Sequence, residues 1–186
     1  MNTIEVKGTG LISTRTYVKE KHSERYNDWL KSLPLKCQAV YSNVINSSEW
    51  FNVEEMYFLP LVRIAEMFFG GNEIKAAIEV GRFSAEFGLK GPYKVFLTAA
   101  SPHLLLKASK RIISTYFRPV TVEISELEKE SIVFTATRIY PKSEIIDYRT
   151  IGWCTRALEL ANCKNVEYQV IACEKADSFS VMFSWS

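Results

Sequence analysis

The spacing of the apolar residues changes near Pro119, and this change limits the folds open to the chain. Before Pro119, apolar residues recur every three or four positions, which predicts amphipathic helices. After it, Val120, Val122 and Ile124 alternate with polar residues, as in a strand with one buried face. A run of helices followed by antiparallel hairpins is typical of α+β proteins. We therefore expect an α+β fold in which an N-terminal helical layer packs on a C-terminal four-stranded antiparallel sheet.

Helix signals occupy most of the chain before Pro119. Asn52 and Glu55 form a capping-box pattern, and Pro60 should kink or restart the helix that begins there. Two segments are ambiguous, since 4–6 is either a short strand or an extended lead-in and 36–44 has no clear period. The predicted helices cover 14–33, 52–69, 74–87, 93–100 and 102–117.

Four strands are predicted after Pro119, near 119–125, 131–140, 165–173 and 178–185. A helix over 150–161 separates the two hairpins, so the predicted order of the elements is β-β-α-β-β. In the last strand, Phe179, Val181 and Phe183 occupy alternate positions. If that strand lies at a sheet edge, it is a candidate interaction surface.

Charge, apolar runs and cysteine spacing exclude several classes of protein. The net charge is +2 with scattered Lys and Arg, so no basic stripe for nucleic acid is expected. No apolar run approaches the ~20 residues of a membrane span, and the start does not resemble a secretory signal. Cys37, Cys154, Cys163 and Cys173 form no Cys-x-x-Cys pair, so we expect buried thiols rather than a metal or redox site. We expect one cytoplasmic domain over residues 1–186.

The sequence contains no complete catalytic motif. A Gly-x-Ser-x-Gly elbow is missing, and Gly8-Thr9-Gly10 lacks the rest of either nucleotide signature. His22 lies among Lys and Glu residues and is expected to be solvated. Cys154 lies near a predicted helix start, where a thiolate is favoured, but it has no identifiable partner and is expected to be packed. We therefore predict that the chain is not an enzyme.

Two motifs give the chain a family resemblance over roughly residue 50 to the end. The segment Ser-Pro-His-Leu-Leu at 101–105 places His103 near a helix start just before the strands, and Phe-Thr-Ala-Thr-Arg at 134–138 lies on a strand. This order resembles haem nitric-oxide/oxygen-binding (H-NOX) domains and 4-vinyl reductase-type ligand-binding domains. In H-NOX domains the histidine ligates iron and the strand carries Tyr-x-Ser-x-Arg. Only Arg138 matches that motif, so the chain looks closest to uncharacterised bacterial relatives without the haem motif.

Haem binding through His103 is what the resemblance implies, but the residues around it argue against this. At about 100° per residue, His103 shares a helix face with Lys107 and Lys110, opposite the apolar stripe that contains Ile112. The Tyr and Ser that hold the haem propionates in the family are absent. We predict no cofactor, and keep a haem-binding gas sensor as a less favoured alternative.

Aromatic residues make up 13% of the chain, and they predict either a filled core or a lined pocket. We predict an apolar pocket between the helices and the sheet that takes a small ligand bearing a carboxylate. Arg138 is the predicted anchor, because a guanidinium suits a carboxylate. The other predicted ligand-binding residues are Phe87, Phe96, Phe134, Tyr148 and Trp153.

The function that these features favour is non-enzymatic binding of a small molecule by a sensory domain. The alternative is a protein-interaction or signalling module with a filled core. Such a module would bind a partner protein or form a homodimer through an exposed apolar surface.

Overall fold

The structure is a computed structural model. It describes residues 4–89, 102–128, 130–138, 144–172 and 177–186, without the side chains of 103, 105–107, 109, 126–128 and 138. The helix predicted for 93–100 lies outside the described residues.

The described part of the chain contains seven α-helices and seven strands. The helices are α1 (Gly8–Lys21), α2 (Tyr26–Ser32), α3 (Leu35–Ser42), α4 (Leu59–Phe68), α5 (Glu73–Leu89), α6 (Pro102–Tyr116) and α7 (Glu144–Leu160). The strands are β1 (Glu5–Lys7), β2 (Trp50–Asn52), β3 (Phe117–Arg118), β4 (Val120–Glu128), β5 (Ser131–Arg138), β6 (Glu167–Ile171) and β7 (Ser178–Ser184). None of the described helices is both long and apolar enough to cross a membrane.

The C-terminal strands form the predicted antiparallel sheet, with the order β4-β5-β7-β6. Phe134 of β5 pairs with Val181 of β7, and both are fully buried. The alternation after Pro119 therefore marks the buried face of a real sheet. Together with the helices before it, this sheet confirms the α+β prediction.

Strand β7 lies inside the sheet, between β5 and β6, so the condition for it to serve as an edge interaction surface is not met. Phe179, Val181 and Phe183 are buried rather than available to a partner. Alternation reveals which face of a strand is buried, but it carries no information about the strand's lateral position in the sheet.

A second sheet, of three short strands in the order β2-β1-β3, was not predicted. Its central strand places Val6 opposite both Phe51 and Phe117. Strands of two or three residues are too short to show a period of two. The sheet ties the N-terminal segment to the end of α6.

Several helix boundaries also differ from the predictions. Helix α1 begins at Gly8 rather than near residue 14, and α7 begins at Glu144 rather than near residue 150. The first turns of α1 are rich in Gly, Ser and Thr, so they show no apolar period. The ambiguous segment at 36–44 forms α3.

The region between β2 and α4 follows the sequence signals closely. The Asn52 side chain accepts a hydrogen bond from the Glu55 backbone N–H at 2.9 Å, as the capping pattern predicted. A π-helical turn over Glu54–Phe58 then precedes α4, in which Pro60 occupies the first turn. Pro60 therefore lies where the π-helical turn passes into the α-helix.

His22 is half-buried rather than fully solvated as predicted. Its ring stacks on Phe68 with 3.9 Å between centroids and 4° between planes, and Tyr17 meets it edge-on. Its Nε2 is buried and has no hydrogen-bond partner among the described residues. Burial lowers the pKa of His22, and the nearby Arg25 lowers it further. The charged sequence neighbours of His22 gave no sign that Phe68 of α4 would cover it.

Two apolar cores meet along α7. Ile145 and Ile146 near its start belong to the core of the helical layer. Ile151 and Leu158, further along, belong to the core under the four-stranded sheet. Helix α7 therefore joins the two layers, and the cavity described next lies beside it.

Candidate ligand cavity

A cavity opens between the helical layer and the end of α6. The space between its walls is about 580 Å³, a figure that includes the open solvent at its mouth. The cavity itself is small, since the centres of water molecules can occupy only about 60 Å³ of it. The lining residues are Thr9, Gly10, Ser13, Tyr57, Gly81, Ser84, Phe87, Ile112, Ile113, Tyr116, Phe117, Arg149, Thr150 and Trp153.

Two glycines set the distance between α5 and α7 at the cavity wall. A Cβ atom at Gly81 would lie 2.1 Å from the backbone oxygen of Arg149, and one at Gly152 would lie 2.2 Å from the oxygen of Ile78. The two helix backbones therefore touch at these positions, which any larger residue would separate. This close contact places Arg149 of α7 beside Ser84 of α5.

Arg149 is the unusual residue of the cavity, because its side chain is charged yet only 3% exposed. Its Nη2 donates to the hydroxyl oxygens of Thr14 at 2.9 Å and Ser84 at 3.2 Å. The Ser13 hydroxyl, at 3.4 Å, and the Gly10 carbonyl, at 3.5 Å, lie at the limit of a hydrogen bond from the same nitrogen. Helices α1 and α5 thus hold one end of the guanidinium group.

The hydroxyl groups around Arg149 are oriented by their own helices. Ser13 and Thr14 each donate to the Gly10 carbonyl at 2.9 Å, and Ser84 donates to the Val80 carbonyl at 2.8 Å. With their protons used in this way, these oxygens present lone pairs to the guanidinium. The hydroxyl groups of α1 and α5 therefore form a set of acceptors for the guanidinium group of Arg149.

The charge of Arg149 has no anionic partner among the described residues. The guanidinium carbon lies 4.0 Å from the centre of the Tyr57 ring, an arrangement that stabilises a cation only modestly. Its Nε and Nη1 are buried and have no hydrogen-bond partner in the described part of the chain. Burial lowers the pKa of Arg149.

Other arginines near the same helices are paired in the ordinary way. Arg82 binds Glu159 through two hydrogen bonds of 2.9 and 2.7 Å. Arg156 donates to Glu86 and to Glu159, both at 2.7 Å. These pairs are partly exposed, so Arg149 differs from them in both burial and partner.

A smaller cavity adjoins the first and shares Ile113, Phe117 and Thr150 with it. Phe134 and Ala136 of the sheet line this second space. The two cavities together run from α1 to the buried face of the four-stranded sheet.

The structure brings together some of the predicted site residues and separates others. Phe87 and Trp153 line the first cavity, and Phe134 lines the second. Tyr148 packs against both cores but lines neither cavity. Phe96 lies outside the described residues.

His103 and Arg138 could not be placed in the site. Their backbones belong to α6 and β5, but their side chains lie outside the described part of the structure. Ile112, Ile113 and Tyr116 show that one face of α6 lines the cavity.

Sequence reasoning missed Arg149, although a signal for it was present. Ile145 and Ile146 precede it by four and three positions, and Gly152 and Trp153 follow it by three and four. An arginine at this spacing interrupts the apolar stripe of its helix. A charged residue inside such a stripe is a candidate functional group, because burying it is costly.

Cys154 is packed as predicted. It is fully buried, and burial raises the pKa of its thiol to about 12. The nucleophilic thiolate is therefore scarce at neutral pH. No cluster of three or more His, Cys, Asp or Glu side chains suited to a metal occurs among the described residues.

Comparison with known proteins gives a clear answer for the fold. No family model matches the sequence, and no curated protein does. Solved structures do match, among them an Fe(II) unliganded H-NOX protein from K. algicida, with a TM-score of 0.71 and 13% identity over 97% of this chain and 96% of that one. The chain has the H-NOX fold.

Two further H-NOX structures also match over nearly their whole length. An H-NOX protein from S. oneidensis in the Fe(II) ligation state matches with a TM-score of 0.71 and 13% identity, over 97% of this chain and 96% of that one. An oxygen-binding H-NOX domain related to soluble guanylate cyclases matches with a TM-score of 0.68 and 13% identity, over 96% and 92%. The resemblance seen in the sequence therefore extends over nearly the whole H-NOX fold.

Proposed function

We propose that residues 1–186 act as a single non-enzymatic sensory domain that binds a small organic molecule in the cavity bounded by α1, α5, α6 and α7. The observation that carries this proposal is the cavity itself, which has apolar walls from Phe87, Ile112 and Trp153 and a polar end at Arg149. Apolar walls with a few placed polar groups are the usual composition of a small-molecule site.

The position of the cavity supports a sensory role. Its walls come from α1, α5, α6 and α7, and α7 also contributes to the core under the sheet. A ligand that touches all four helices therefore acts on the junction between the two layers. A protein that binds a ligand at such a junction can change its internal equilibrium when the ligand arrives.

The alternative of a filled core is less well supported. It requires the aromatic side chains to occupy the space between the layers, yet Phe87 and Trp153 border open space instead. The candidate surface for self-association, on β7, is buried in the sheet.

A neutral aromatic probe tests the proposal directly. Benzamide should bind at one site, measured by isothermal titration calorimetry. Replacing Ile113, which lines both cavities, with Trp should fill the space and weaken binding at least about tenfold, the effect of roughly 1.4 kcal/mol. Val44→Trp, at a position 96% exposed, is the matched control. Unchanged binding in Ile113→Trp would place the probe elsewhere and contradict the proposal.

Haem is the second candidate ligand, because a solved structure with this fold comes from a study of haem distortion in the H-NOX family. The described residues do not fit it. The inner space available to water centres, about 60 Å³, holds only a few water molecules, far less than a tetrapyrrole requires. The described lining residues also include no His, Cys or Met to ligate iron.

A further inference from the structure

We infer that the polar end of the cavity is a binding site for the carboxylate of an organic anion, and that Arg149 is the residue that binds it. This inference rests on the proposed function and adds the chemical class of the ligand. Arg138, which the sequence suggested for this role, has no described side chain. Arg149 is buried at the cavity and has N–H groups without a partner among the described residues.

The first step concerns the cost of the buried charge. A guanidinium removed from water without an anion loses much of its hydration energy. Neutral hydroxyls and the Tyr57 ring, at 4.0 Å from the guanidinium carbon, compensate only part of this loss. A bound anion would supply the missing interaction.

The second step concerns geometry. Thr14 and Ser84 engage Nη2 alone, so the hydroxyls hold the group in place without using Nε and Nη1. The guanidinium is planar and its donors lie in a fixed fork, which matches the oxygens of a carboxylate. The side chain is thus oriented in advance through Nη2, while Nε and Nη1 keep their hydrogen-bonding capacity unused among the described residues.

The third step concerns the charge and shape of the ligand. Arg149 is the one Lys or Arg among the described lining residues, which favours a single negative charge over a phosphate dianion. Phe87, Ile112 and Trp153 of the same walls are apolar and suit a hydrocarbon or aromatic body. The small volume of the cavity favours a small molecule.

A purely structural role for Arg149 makes a different prediction. As a link between α1, α5 and α7, Arg149 would affect stability but would not distinguish an acid from its neutral amide. Selectivity between these two probes therefore separates a ligand-binding role from a structural one.

The test compares benzoate with benzamide at neutral pH by isothermal titration calorimetry. The two molecules have nearly the same shape and differ in charge. In the unaltered protein benzoate should bind about ten- to a hundredfold more tightly, the range expected for hydrogen bonds to a charged group. In Arg149→Met this preference should disappear while benzamide binding persists.

Arg156→Met is the matched control. Arg156 lies on the same helix but pairs with Glu86 and Glu159 and does not line the cavity, so the preference for benzoate should stay. Arg149→Lys keeps the charge without the fork of donors, so it should retain only part of the preference for benzoate. If Arg149→Met does not fold, Arg149→Lys and the comparison of benzoate with benzamide in the unaltered protein still test the carboxylate site.

Each outcome has one meaning. Equal binding of benzoate and benzamide in the unaltered protein, or a preference that survives in Arg149→Met, would overturn the carboxylate site and leave the proposed cavity intact. Failure of both probes to bind would instead contradict the proposed function, and the inference with it.

Discussion

Arg149 carries its charge where water does not reach it, and this has a consequence for stability. Without ligand, Arg149→Met should raise the free energy of unfolding by about 1–2 kcal/mol, because an unpaired buried charge is replaced by an apolar group of similar length. Ser13, Thr14 and Ser84 keep their hydrogen bonds to backbone carbonyls in the variant. Urea unfolding measures the change. A loss of about 2 kcal/mol or more would show that Arg149 is chiefly a structural link.

His22 gives a prediction for the dependence of stability on pH. Its pKa is lowered in the folded protein, first by burial and then by Arg25, so the folded state binds fewer protons than the unfolded state. The stability that His22 contributes is therefore present above the unfolded pKa of about 6.5 and is lost as the pH falls through the folded pKa.

The measurement is the urea midpoint at about pH 7.5 and about pH 5.5. The midpoint should fall more in the unaltered protein than in His22→Gln, which cannot titrate but keeps a polar side chain of similar length. All other residues are the same in the two proteins, so their contributions cancel in the difference. Equal falls in the two proteins would contradict the expectation.

At the scale of whole elements, the contact between α5 and α7 is the feature most sensitive to change. Gly81→Ala would place a Cβ atom 2.1 Å from the Arg149 backbone oxygen, so the two helices must move apart. We expect a loss of about 2–3 kcal/mol, as for other overpacked sites. Lys75→Ala, at an exposed position of the same helix, should change stability by less than about 0.5 kcal/mol. Thermal unfolding of the two variants compares them.

The same variant tests whether this contact positions the site. Because the Cβ atom of Gly81→Ala meets the backbone of Arg149 itself, benzoate binding should weaken even under conditions where the variant remains folded. Normal affinity in a folded Gly81→Ala protein would show that the position of Arg149 does not depend on this contact.

The elements also show which parts of the fold the sequence could reveal. Strands β4, β5 and β7 each run over at least seven residues with regular alternation, so their pattern was readable. The three short strands and the first turns of α1 are fixed by contacts distant in sequence, such as the approach of Gly8 to Asn46. Such contacts leave no local period.

The residues of the candidate site also differ in how far the sequence could reveal them. Phe87 and Trp153 could be named as candidate cavity residues from their aromatic character alone, and both line the first cavity. Arg149 was missed because its importance depends on Ser13, Thr14 and Ser84, which come from two other helices. Only the folded chain brings these hydroxyls to the guanidinium.

At the scale of the whole molecule, haem binding is the sharpest test against solved structures with this fold. Titration with haemin should give no sharp, stoichiometric Soret band, because the cavity is narrow and its described walls hold no iron ligand of the His, Cys or Met type. The control is an H-NOX protein that binds haem, treated in parallel. A stoichiometric band that His103→Ala abolishes would overturn this expectation.

Helix α7, which supplies apolar residues to both cores, gives the molecule a thermodynamic property of its own. A ligand seated between the layers adds its binding free energy to the attachment of one layer to the other, about 2.7 kcal/mol at a hundredfold excess over its dissociation constant. Reciprocity then requires that any contact holding α7 in place tightens ligand binding by the same factor. The stability of the contact between the two layers and the binding of the ligand are therefore thermodynamically coupled.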